Sequence, residues 1–147
     1  MTPRIKDIAC FIDDSDAARR ALDEAADLRA VTGGRLRVVH VIAPPAFLLS
    51  MAASLGGAPV HDPEIERQAA QMWLAEVARS IEGAEPVLLE GHPPSTACDW
   101  ARESGCDLMV AATHRGRLER ALLGSFAGFL AHHAPCPVLL VPPAPEQ

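Results

Sequence analysis

Short apolar runs alternating with amphipathic stretches leave this chain few folds to choose from. Ile5 to Ile12 and Leu36 to Ile42 are rich in Ile and Val, long enough for strands and too short for helices. Between them Ser15 is placed to cap a helix whose apolar positions Ala18, Ala21, Leu22, Ala25, Leu28 and Val31 recur at helical spacing. Gly33-Gly34 stops that helix, because glycine tolerates the left-handed conformation that ends helices. A strand, a crossover helix and a second buried strand make a parallel pair.

The pattern continues to the C-terminus. Ala43 to Val60 carries no charge and no clear period, and reads as a mobile loop, a lid with a helical turn. Asp62 followed by Pro63 opens the next helix, since Asp caps and Pro suits the first helical position. Ile65, Ala69, Met72 or Trp73, Glu76 and Val77, and Ile81 form its stripe, with Trp73 read as core. Val87 to Leu89 is a third strand, His92 to Ser95 a turn, and Ser95 to Ser104 a helix closed by Gly105. Leu108 to Ala112, Ser125 to His133 and Val138 to Val141 complete the set as strand, helix and strand. This alternation predicts a three-layer α/β/α fold with helices on both faces of the sheet. The length of 147 residues fits a single domain spanning 1–147.

Charge and cysteine usage narrow the function classes. A formal net charge of −6 argues against nucleic acid as a partner, because phosphate neutralisation needs a basic face. The basic cluster Arg115, Arg117 and Arg120 is diluted by Glu119. No stretch reaches the roughly 18 apolar residues of a membrane span, and Met1-Thr-Pro-Arg runs into a strand rather than a signal peptide, so the expectation is a cytoplasmic protein with no membrane partner. Cys10, Cys98, Cys106 and Cys136 form no CxxC pair and signal neither a zinc knuckle nor a redox motif; they read as free thiols behaving as small hydrophobes. His132-His133 at a helix end is ordinary placement rather than a metal site.

The segment from Asp107 to Val141 carries the chemistry: an apolar strand, a basic glycine-containing loop, a Gly124-Ser125 helix start and a second strand. A helix N-terminus of this kind offers free backbone N–H groups and the positive end of the helix dipole to an anion. A Ser-His-Asp hydrolase drawn from Ser125, His114 and Asp13 lacks the G-x-S-x-G elbow that its nucleophile would need.

DLMVAATH, ALLGS and HHAPCPVLLVP in this segment resemble the universal stress protein family, as do DIACFIDDSDAARRALDEAADLRA, RLRVVHVIAPP and LLEGHPPSTACDWARESGCDLMV before it. The resemblance covers nearly the whole chain except roughly Ala46 to Pro63. It implies a five-stranded parallel sheet of order 3-2-1-4-5, Rossmann-like and of the adenine nucleotide alpha-hydrolase-like type, with the ligand at the switch point between the first and fourth strands. It implies Asp13, beside Ile12, and Val41 at an adenosine. The loop of Ala112, Thr113, Arg115, Gly116 and Gly124, with Ser125 and Phe126, stands at the phosphates.

Departures from the family pattern bear on the ligand. ATP-binding members carry Gly-x2-Gly-x9-Gly-Ser/Thr; here Ala112 and Arg115 stand at the first two glycines and the loop is one residue shorter. Taking Gly116 as the second glycine leaves seven residues before Gly124. Only Gly124 and Ser125 are intact, and Asp14 replaces the glycine of the Asp-Gly-Ser turn. Side chains at Ala112 and Arg115 remove positive-φ freedom and crowd the phosphate, although Arg115 offers a guanidinium fork of its own. The expectation is a stress-response regulatory module with weak or lost ATP binding, a homodimer through its C-terminal strand. The alternatives are a working binder of ATP or AMP with Mg2+ and weak ATPase activity and, more remotely, an unrelated small-molecule hydrolase.

Overall fold

The computed structural model describes residues 4–44, 53–57, 62–114 and 125–145. Most of the Ala43 to Val60 loop, and Arg115, Gly116, Arg117, Arg120 and Gly124, lie outside the described residues. The elements in chain order are β1 (Asp7–Phe11), α1 (Asp16–Thr32), β2 (Arg35–Ile42), α2 (Pro63–Arg79), β3 (Glu85–Glu90), α3 (Pro93–Ser104), β4 (Leu108–Ala112), α4 (Ser125–His133) and β5 (Val138–Val141). The five strands form one sheet of order β3-β2-β1-β4-β5, parallel at every pairing.

Each face of the sheet buries its own core. On one side Ile8, Cys10, Leu36, Val38, Leu108 and Val110 meet Ala18, Ala21, Leu22 and Ala25 of α1 and Leu74, Val77 and Ala78 of α2. On the other side Ala9, Phe11, Val39, Met109 and Ala111 meet Ala97, Cys98 and Ala101 of α3 and Leu130 of α4. Alanines on the inward faces let the helices lie close to the sheet, and each large aliphatic side chain buried there stabilises by roughly 1.5–3 kcal/mol. Pro86 in β3 is compatible with a strand because β3 is a sheet edge.

The capping chemistry is as the sequence requires. Ser15 Oγ accepts from Ala18 N–H at 3.1 Å at the start of α1, Asp62 accepts from Glu64 N–H at 3.0 Å, and Gly33 and Gly105 close α1 and α3 in left-handed conformation at φ 69° and 67°. Helix α3 begins at Pro93, two positions before the expected start, since proline fits the first helical turn and its neighbour His92 stays extended.

Two stripe assignments change. Val31 is 83% exposed, because the helical period carries the buried stripe of α1 from Ala18 and Ala25 on to Thr32. In α2, Ile65 and Met72 are 63% and 74% exposed, while Trp73, Leu74, Val77 and Ala78 face inward. The sequence offers two adjacent stripes one residue apart, and packing of Trp73 against His40 selects the second.

The N-terminal ends of the strands are tied by charge. The Asp107 carboxylate accepts from the Lys6 and Asp7 N–H groups, both at 3.0 Å. Arg37 is 6% exposed; its guanidinium reaches Asp7 Oδ1 at 2.7 Å and lies 4.5 Å from the Trp100 ring centre. A buried guanidinium is tolerable only with such partners. Arg35 adds an exposed fork to Glu85 at 2.8 and 2.6 Å, and these hydrogen bonds hold the Glu85 carboxyl below the usual carboxylate range.

Gly34 marks the closest approach at this end: a Cβ there would lie 2.5 Å from the Lys6 carbonyl oxygen, which also accepts from Arg35 N–H at 2.7 Å. That obstacle is backbone and cannot rotate away. Gly34→Ala is therefore expected to cost about 2–3 kcal/mol in urea unfolding. Gly33→Ala, strained in φ but facing open space, should cost about 1 kcal/mol. Equal costs would show that the approach of Lys6 does not constrain this turn.

Candidate functional site

Strands β1 and β4 are neighbours, yet the chain leaves them toward opposite faces of the sheet, so a crevice opens beyond their carboxyl ends. It is a cleft of about 270 Å³ lined by Phe11, Ile12, Asp13, Ala18, Val39, His40, Val41, Pro93, Ala111, Ala112, His114 and Phe126. Of the residues singled out from sequence, the structure brings Ile12, Asp13, Val41, Ala112 and Phe126 together around it. Ser125 stands at the first position of α4, exposed, and is not among the lining residues. Thr113 is buried, its N–H donating to the Val141 carbonyl at 2.9 Å.

The cleft is predominantly apolar. Phe11 forms its floor, with ring centres 6.0 Å from both Trp100 (edge-on) and Phe126 (tilted). Val39, Val41 and Pro93 extend this wall, which suits a flat aromatic ligand better than a free phosphate.

Polar groups cluster at the mouth. Asp13 Oδ1 accepts from Ser15 N–H at 3.0 Å and from the Ser15 hydroxyl, which in turn accepts from Ala18 N–H. Asp13 thus anchors the turn after β1. Its other oxygen lies 3.5 Å from His114 Nε2, with both side chains about half exposed. Among the described residues no hydrogen bond joins Ser125 to His114, so the paper triad is not assembled. Asp14 lines a depression with Asp16, Arg19 and Trp73 on the α1 flank, which shares Ile12, Asp13 and Ala18 with the main cleft.

Ala112 is the last residue of β4, paired with Val141 and buried, and among the described residues no non-glycine has positive φ.

His40 is a site residue that the pattern of single positions missed. Its Nδ1 lies 2.7 Å from the Ile12 carbonyl oxygen; a carbonyl only accepts, so Nδ1 carries a proton. Trp73 meets its ring edge-on at 5.0 Å between centres. Phe11 and His40 directly precede Ile12 and Val41, and the signal available was that both neighbours of a strand-end residue reach the crevice. Replacing His40 by Leu should leave the Ile12 carbonyl unpaired and cost about 1 kcal/mol, with a shift in Trp73 emission. An unchanged urea midpoint would show the hydrogen bond to be idle.

The universal stress protein family model matches residues 4–142. A universal stress protein of Thermus aquaticus, from the QAH/OAS sulfhydrylase 3′ region, is 33% identical over 143 residues, covering 92% of this chain and 98% of that protein. The crystal structure of a universal stress protein family member from Burkholderia pseudomallei superposes with TM-score 0.70 at 27% identity, covering 95% of this chain and 98% of that one. That of the Archaeoglobus fulgidus universal stress protein in complex with dAMP superposes with TM-score 0.65 at 23% identity, covering 96% and 99%.

Proposed function

The chain belongs to the universal stress protein family, and on that premise we propose that it is a cytoplasmic, single-domain stress-response regulatory module whose cleft takes an adenine nucleotide by its base and ribose and holds a triphosphate weakly. The carrying observation is the contrast between the two ends of the cleft. Its base end is an apolar wall of Phe11, Val39, Val41, Pro93 and Phe126, with the side chains of Asp13 and His40 at hand for the polar edges of a nucleoside. Its phosphate end has lost space at Ala112 and carries Arg115 for a glycine, leaving the N–H groups at the start of α4 and the Ser125 hydroxyl as anion contacts. The dAMP bound by the Archaeoglobus relative is a monophosphate, in keeping with this division. Mg2+ enters only with a triphosphate and on its oxygens, since among the described residues no three His, Cys, Asp or Glu side chains are grouped to hold a metal.

The second reading, a working ATP binder with weak ATPase activity, rests on the intact Gly124-Ser125 pair. Thermal shift separates the two. A ligand present at about 100 times its dissociation constant adds about 2.7 kcal/mol, a rise of roughly 5–10 °C for a chain of this size. Millimolar AMP should raise the melting temperature measurably and millimolar Mg-ATP little. A rise of several degrees with Mg-ATP, abolished by Ser125→Ala, would establish the second reading.

We also propose a homodimer through β5. Val138–Val141 is a sheet edge without charge, flanked by Pro137 and Pro142, and monomers usually protect such an edge with Lys or a bulge. Leu139 is 37% exposed there, while Leu140 packs on the α4 side of the core. Two copies pairing antiparallel about a two-fold axis would cover it. Leu139→Lys is the clean probe, because it charges the seam twice without entering the core. Light scattering should show the dimer of the wild type released to monomer; a monomeric wild type, or a dimer unmoved by the substitution, removes this interface.

A further inference from the structure

Cys106 and Cys136 are thirty residues apart in sequence and spaced for no motif, yet their sulfurs lie 3.8 Å apart. Cys106 follows the left-handed Gly105 that closes α3, and Cys136 immediately precedes the Pro137 carbonyl that accepts from Met109 N–H at 3.0 Å. The two therefore enter β4 and β5 side by side. Continuing the register of Met109 opposite Val138 backwards sets Asp107 opposite Cys136, so Cys106 is offset by one residue. Strands ~4.8 Å apart with a ~3.3 Å rise per residue give a Cα separation of about 6 Å. A disulfide spans roughly 4.4–6.8 Å between Cα atoms. Closing the bond needs side-chain rotation and no movement of the sheet.

We infer that Cys106 and Cys136 are a reversible dithiol–disulfide site, oxidised by a hydroperoxide and reduced by a small thiol, that staples the β4–α4–β5 excursion at its base. Cys136, the more exposed of the two, reacts first: its thiolate attacks one peroxide oxygen, the O–O bond breaks, and a sulfenic acid and hydroxide form. The Cys106 sulfur then attacks the sulfenyl sulfur, the S–S bond forms, and water leaves with the Cys106 proton. The two sulfurs give up the two electrons that reduce the peroxide to water. Burial pushes the Cys106 thiol up to about 12 and raises that of Cys136, so the attacking Cys136 thiolate is a minor form near neutral pH and the oxidation is slow. Cys10 is fully buried inside β1 and has no such neighbour among the described residues. The ring that closes contains Thr113, His114, Ser125 and Phe126, so oxidation restricts the unfolded freedom of the segment that shapes the cleft mouth.

The 147-residue chain, treated with hydrogen peroxide, alkylated and digested with trypsin, reads this directly. Cys106 falls in the peptide Glu103–Arg115, Cys136 in Ala121–Gln147, and Cys98 and Cys10 in two others. The expected product is Glu103–Arg115 joined to Ala121–Gln147 within one chain. It should be lost on adding dithiothreitol, and the oxidised protein should melt several degrees higher. Cys136→Ser should leave Cys106 open to alkylation after the same treatment. Wild-type protein whose thiols all remain alkylatable, or whose Cys136 ends as sulfinic acid or linked to a second chain, would overturn the site.

Discussion

The pairing of β1 with β4 is the contact on which the remaining architecture depends. Ile8 to Phe11 lies against Leu108 to Ala111, with every one of these residues buried. A strand pair covered on both faces must be apolar throughout, which is why both runs were recognisable in the sequence. The chain leaves β1 for the α1 face and β4 for the α4 face. The crevice between those departures is a consequence of topology before any side chain is considered.

The two ends of this strand pair are treated in opposite ways. At the N-terminal end the charges are compensated: Asp107 accepts two backbone N–H groups, and the buried Arg37 is held by Asp7 and Trp100. At the carboxyl end Asp13 and His114 remain half exposed, and His40 lines the apolar cleft. Rigid compensation at one end holds the register, and unspent polar capacity collects at the other.

Strand and helix identities were legible because their signals are local: period, Ser15 and Asp62 caps, and Gly33 and Gly105 stops. The same locality explains the errors. The stripe of α2 is ambiguous by one residue in sequence, and only the distant His40 decides it. The four cysteines are free thiols as their spacing indicates, and the approach of Cys106 to Cys136 leaves no mark in the sequence because it runs across two strands rather than within one turn. Five of the ten candidate site residues line the cleft, Ser125 and Thr113 stand at the elements that frame it, and Arg115, Gly116 and Gly124 lie outside the described residues. His40 escaped because its role rests on a hydrogen bond to a backbone atom twenty-eight residues away.

The departures from the family's glycine pattern do not act alike. Ala112 sits in an extended, paired strand, where a glycine would supply space and no unusual backbone geometry. Asp14 is exposed and lines the neighbouring depression on the α1 flank, so solvent screens its charge. Arg115 differs from both, since a long cation can crowd a phosphate or pair with it in bidentate fashion. Of the three substitutions it alone can change the sign of the effect on an anionic ligand. Under the proposed function, the balance between a lost triphosphate site and a rebuilt one therefore turns on that guanidinium, while the apolar end of the cleft is shaped independently by Phe11, Val39 and Val41.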